Sequence, residues 1–92
     1  MSETRKRKSP RTRSAKLLRD ARDRLGLTVK ELAKRGYLDP QRLYEYEIGS
    51  RQISTVQSIA YYAILYELDP VELFKTILED LDDGGNAHEH GE

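Results

Sequence analysis

Between Leu38 and Gln52 the chain reads LDPQRLYEYEIGSRQ, which gathers amide, guanidinium, phenol and carboxylate side chains within a few turns. Asp39 is a good N-cap and Pro40 suits the first helical position, where its missing N–H costs nothing. Leu43 and Tyr46, three apart, make the inward stripe of this short helix. Gln41, Arg42, Tyr44 and Glu45 are then left on its sides and outer face. That face carries directional donors and acceptors rather than a simple Glu/Lys solvent coat, so its chemistry is recognition by hydrogen bonding.

Bond-making chemistry has little to work with. The chain has no cysteine, which excludes disulfides, thiolate metal sites and a cysteine nucleophile. His88 and His90 are the only histidines, and two ligands do not complete a zinc site that needs four. No Gly-rich phosphate loop, paired catalytic carboxylates or Ser/His/Asp set is visible. We expect no enzyme activity, no metal and no cofactor.

The elements that must position the outer face can be read from start and stop signals. Ser14 is expected to cap a first helix over about 14–25, with Leu17, Leu18, Ala21 and Leu25 inward and Gly26 as its left-handed stop. Thr28-Val-Lys-Glu31 fits a capping box opening a second helix over about 28–35, which buries Val29, Leu32 and Ala33. The helix from Asp39 follows. Ser54-Thr-Val-Gln57 is a further capping-box candidate, for a helix to about Leu68 with Val56, Ile59, Ala60 and Ala63 on one face. Asp69-Pro70 starts a fifth helix expected to bury Val71, Phe74, Ile77, Leu78 and Leu81. No segment shows sustained strand alternation.

The zero net charge conceals a split: residues 1–51 carry +8 and residues 52–92 carry −8. Residues 1–13 hold six Lys and Arg against one Glu and no periodic apolar positions, so they are expected to form a flexible basic arm. Residues 82–92, acidic and Gly-rich, read as a flexible acidic tail behind a single domain over 14–81. The longest apolar run, Ile59 to Tyr66, is far short of the roughly 20 residues that span a bilayer. The basic start leads into no long apolar segment, and we expect a cytoplasmic protein.

Two short helices joined around Gly36, Tyr37 and Leu38 outline a helix-turn-helix. Through "LRDARDRLGLT", "KELA", "LYEYEIG" and "VQSIAYYAILYELDP" the sequence resembles the Cro and lambda-repressor (XRE) type of helix-turn-helix domain, from about Leu18 to Phe74. The resemblance implies an all-α, compact five-helix domain that binds double-stranded DNA and regulates transcription, as a repressor that acts as a homodimer and associates with the nucleoid.

Further roles follow from the same resemblance. Arg22 and Glu47 match a pair that ties the first helix to the third. Pro40, Gln41, Arg42, Tyr44 and Glu45 fall on or beside the base-reading positions. Gln41 suits adenine, Arg42 guanine or a phosphate, and Glu45 cytosine, the orienting of Arg42 or plain solvation. Tyr44 stands between a phosphate or thymine-methyl contact and ordinary packing. Thr28, Ser50, Arg51 and Gln52 match phosphate contacts, in a loop whose backbone amides also usually grip phosphate. Arg5, Lys6, Arg7, Lys8, Arg11 and Arg13 of the arm could track phosphates or merely solubilise. Tyr62, Tyr66 and Phe74 are expected at a dimer interface, with Tyr62 and Tyr66 otherwise covering the small core.

The chain departs from the family pattern in several places. Tyr37 stands where a turn glycine is usual, Val29 where a phosphate-binding glutamine is common, and the loop after Gly49 is about two residues short. Pro40 contributes no side-chain hydrogen bond to base readout. A rival reading is a protein-interaction module of the same fold that holds a partner protein.

Overall fold

A computed structural model describes the backbone of residues 9–90 and the side chains of residues 9–83. Five helices follow one another: α1 (Arg13–Leu25), α2 (Val29–Arg35), α3 (Pro40–Ile48), α4 (Val56–Tyr66) and α5 (Pro70–His90). Among the described residues there is no strand, so the all-α expectation holds. α1 packs against α5, α3 and α4, α2 against α3, and α4 against α5.

Local chemistry accounts for each start. Thr28 accepts from the Glu31 amide while the Glu31 carboxylate accepts from the Thr28 amide, closing the capping box of α2. Asp39 accepts from the Gln41 amide and Pro40 occupies the first turn of α3. Two caps differ from expectation by a residue or two. Thr12, not Ser14, caps α1 by accepting from the Ala15 amide, and Thr55, not Ser54, caps α4 by accepting from Ser58. In α1 the reason lies in α5: Asp80 takes the amides of Arg13 and Ser14 at 2.7 and 3.2 Å, adding a carboxylate where the helix dipole favours one. Thr12 and Arg13 therefore belong to the packed domain rather than to the basic arm.

The core is built on Leu18, Leu32, Leu43, Ile53, Ile59, Tyr62, Ala63, Tyr66, Leu73 and Ile77. Here the expected faces of the last two helices are corrected. α4 turns Ile59, Tyr62, Ala63 and Tyr66 inward, leaving Val56 and Ala60 outside. α5 turns Leu73, Ile77 and Asp80 inward, so Val71, Phe74, Leu78 and Leu81 are exposed. α5 carries two apolar stripes, and only the one containing Leu73 meets the core. Tyr62 and Tyr66, 4% and 1% exposed, are thus core residues and cannot form the expected dimer surface; of the three residues assigned to it, Phe74 alone is accessible.

Helix α5 continues past Leu81 to His90, into the residues read as a tail, and Asp83 on it accepts from Arg13 Nε at 2.8 Å. The side chains of His88 and His90 lie outside the described residues. So do Arg5, Lys6, Arg7 and Lys8.

The turn between α2 and α3 is tight for two separate reasons. Tyr37, at φ +56°, adopts the left-handed conformation that glycine normally supplies, with its side chain 97% exposed. Gly36 has an ordinary φ, but a Cβ there would sit 2.7 Å from the Tyr61 hydroxyl, which donates to the Gly36 carbonyl. Close approach, not backbone freedom, is what favours glycine here.

Candidate nucleic-acid interface

The roll of α3 is set by a buried charge cluster at its C-terminal end. Arg22 of α1 donates from Nε to both Glu47 oxygens at 3.0 Å and from Nη2 to Oε1 at 2.9 Å. Its Nη1 donates to the Leu27 carbonyl, and the Tyr66 hydroxyl of α4 donates to Glu47 Oε2 at 2.7 Å. One carboxylate thus joins three helices. Burial works to lower the Arg22 pKa, but the hydrogen bonds and charge of Glu47 outweigh it and the net shift is upward. Burial, reinforced by Glu47, pushes the Tyr66 hydroxyl far above its usual range.

With Leu43, Tyr46 and Glu47 buried, the opposite side of α3 faces outward. Gln41, Arg42 and Tyr44 are exposed, and Pro40 and Glu45 partly so. Glu45 does not hold Arg42. Its Oε1 accepts from Arg51 Nε at 2.8 Å and its Oε2 from Gln41 Nε2 at 3.3 Å. Arg51, then Gln41, hold the Glu45 carboxyl below its usual range, and the pairing raises Arg51. Arg42 instead lies near the Tyr62 hydroxyl, whose pKa burial and the neighbouring Tyr46 push up to about 12, against the opposing charge of Arg42. Tyr44 takes no core position.

The loop after α3 also departs from what the resemblance implied. The amides of Gly49, Ser50 and Arg51 all donate to the Glu45 carbonyl, at 3.0, 3.1 and 3.3 Å, so they are already committed. The donors left in this loop are on side chains: the guanidinium of Arg51, half-exposed, and the hydroxyl of Ser50, which also reaches the Glu45 carbonyl. Gln52 is drawn away, donating to Asp80 and accepting from the Ser14 hydroxyl. It is a brace between α1 and α5.

Of the other expected phosphate contacts, Arg13 is turned to Asp83 on α5. Thr28 spends its oxygen and its amide on the capping box, leaving only its hydroxyl hydrogen to offer. Arg11 is exposed and its amide donates to the Ile48 carbonyl, which places the end of the basic arm at the C-terminus of α3. Gly49, at φ +89°, accommodates that approach: a Cβ there would lie 3.1 Å from Arg11 Cβ.

The structure therefore brings Gln41, Glu45, Ser50, Arg51 and Arg11 into one polar strip along α3 and its exit. Reading the sequence missed Asp80 and the Tyr61 to Gly36 bond, and gave Ser14 a capping role in place of its bond to Gln52. Asp80 could have been found by continuing the Leu73, Ile77 spacing to the next inward position. Among the described residues no group of three or more His, Cys, Asp or Glu could hold a metal, and no helix is long and apolar enough to cross a membrane.

Comparison with known proteins agrees with this geometry. No curated protein and no solved structure matches the chain. A family model described as helix-turn-helix matches residues 18–61, from the middle of α1 to the middle of α4. With α2 and α3 joined by a tight turn inside that span, residues 18–61 are a helix-turn-helix of the Cro and lambda-repressor type, the domain of a family of DNA-binding regulators.

Proposed function

We propose that the protein is a sequence-specific regulator of transcription, acting as a repressor in the cytoplasm, that lays α3 in the major groove of double-stranded DNA. The observation that carries this reading is the outward polar face of α3, held in one orientation by the Glu47 cluster and continued by Ser50, Arg51 and Arg11. The N-terminal half of a recognition helix is the part that meets base edges, and Gln41 and Arg42 stand there. Arg51, Ser50 and the arm supply phosphate contacts, which position without reading sequence.

A short recognition helix covers few base pairs, so the protein works as a homodimer on half-sites about 34–36 Å apart. The surface for it is the apolar stripe that the core leaves outside. Val56, Ile59, Ala60, Pro70, Val71 and Phe74 line a groove of about 220 Å³ between α4 and α5, with Phe74 standing 44% exposed beside it. A patch that offers both a knob and a hollow is suited to a twofold contact. The same groove favours the second reading, in which it receives a partner protein of another kind.

Fluorescence anisotropy on a labelled random-sequence duplex at two salt concentrations separates the two. Binding through phosphates weakens steeply as salt rises, with log K falling by about 0.9 per neutralised phosphate for each unit of log salt. Sedimentation of the wild type and Phe74→Glu tests the groove: a dimer that the variant converts to monomer supports the homodimer. A wild-type monomer that binds no duplex would leave the protein-partner reading.

A further inference from the structure

We propose that Glu45 is the positioning residue that sets the base preference of this helix, by holding the Gln41 amide in one orientation and Arg51 in place beside it. The inference rests on the DNA reading above and names how its selectivity is built. The bonds come from opposite directions: Gln41 is one turn earlier on α3, and Arg51 lies in the loop after it. The loop is independently fixed to the same residue, since the amides of Gly49, Ser50 and Arg51 converge on the Glu45 carbonyl. Arg51 is therefore delivered to the carboxylate by its backbone, and its pairing orders fewer free rotors than an unconstrained surface pair would.

What remains free after these bonds decides the recognition chemistry. Gln41 keeps its amide oxygen and one N–H, a donor and an acceptor side by side. That pair matches the N7 acceptor and N6 donor of adenine in the major groove. Arg51 spends Nε on Glu45 and keeps both Nη groups for phosphate. Without the Glu45 acceptor the Gln41 amide can rotate freely, and the fixed order of donor and acceptor is lost. The carboxylate also repels phosphate, so removing it strengthens contact with every sequence. Selectivity and affinity should consequently move in opposite directions.

The test compares wild type, Glu45→Ala and Glu45→Gln by selection from randomised duplex, followed by binding curves on the selected and on unrelated duplexes across salt, with circular dichroism confirming the fold. Glu45→Ala is expected to bind unrelated DNA more tightly while its preference for adenine at the Gln41 position falls about tenfold, within the range of one bidentate contact. Glu45→Gln, which keeps a carbonyl acceptor but no charge, is expected to gain general affinity and retain most of the preference. An unchanged preference in Glu45→Ala would overturn the proposal and make Glu45 a solvated charge. Equal weakening on all sequences would also overturn it, by showing a purely structural role. If the wild type itself binds no duplex, the DNA reading falls and this inference with it; a wild type that binds and selects separates the two failures.

Discussion

Removing either half of the Arg22–Glu47 pair should destabilise the whole domain, because the pair is buried and shared. The side chains are 11% and 4% exposed, and Glu47 accepts from Arg22 and from Tyr66. Arg22→Met leaves a carboxylate in the interior with only the Tyr66 hydroxyl to satisfy it. Breaking a buried pair in this way costs about 3–5 kcal/mol. Domains hold roughly 0.05–0.15 kcal/mol per residue, which for a chain of this size is on the order of 5–14 kcal/mol in all. The loss is thus a large fraction of the total. At about 4–8 °C per kcal/mol for a small domain, the melting temperature should fall by at least about 12 °C. Urea titration followed by far-ultraviolet circular dichroism measures the free energies. The double variant Arg22→Met, Glu47→Met should recover much of the loss, since replacing both charges leaves neither uncompensated. Single losses below about 1 kcal/mol, or a double variant whose loss is the sum of the singles, would refute the cluster as the anchor of α3.

Other consequences are as direct. Tyr37→Gly should raise stability by about 0.5–1 kcal/mol, because it relieves a left-handed residue whose exposed ring has little contact to lose, and the urea midpoint checks it. Tyr62, with a pKa raised from about 10 to about 12, favours the folded state while protonated. Its contribution is full below about pH 10 and is lost as pH rises through about 12, on the order of 2 kcal/mol, and Tyr62→Phe should flatten that alkaline fall in a urea series from pH 8 to 12. Gly36→Ala should lower the urea midpoint, since its methyl displaces the Tyr61 hydroxyl from the Gly36 carbonyl, and Tyr61→Phe should make the same substitution less costly.

Much of the scaffold was legible because its signals are local. The Thr28 to Glu31 box, Asp39 before Pro40 and Asp69 before Pro70 each depend on residues within one turn, and each marks the helix start observed. The inward faces of α4 and α5 were not, for a reason that composition hides. α5 has two apolar stripes, and spacing alone cannot say whether Leu73 or Phe74 meets the core. The same ambiguity left Tyr62 and Tyr66 between a dimer surface and a cover for the core, although two tyrosines at helical spacing can fill an interior when one of them finds Glu47 as acceptor.

The candidate interface divides along the same line. Its residue types were visible in the stretch from Pro40 to Arg51, but their pairing was not. Glu45 was left between cytosine and Arg42 on its own helix, whereas its partners are Gln41 and the loop residue Arg51. That choice depends on how the chain turns after Gly49, where three amides fold back onto one carbonyl. Gln52 and Arg13 were drawn away from the strip by Asp80 and Asp83, acids some 28 to 70 residues distant in sequence. Long-range partners of this kind leave no periodic trace.

The most direct test of the account is selection from a randomised duplex library by the wild-type chain beside Gln41→Ala and Arg42→Ala, both at exposed positions of α3. The account predicts a palindromic motif for the wild type, with half-sites one helical turn apart, and its loss or relaxation at defined positions in the two variants. Recovery of the same motif by both variants, or of none by the wild type, would contradict α3 as the reader.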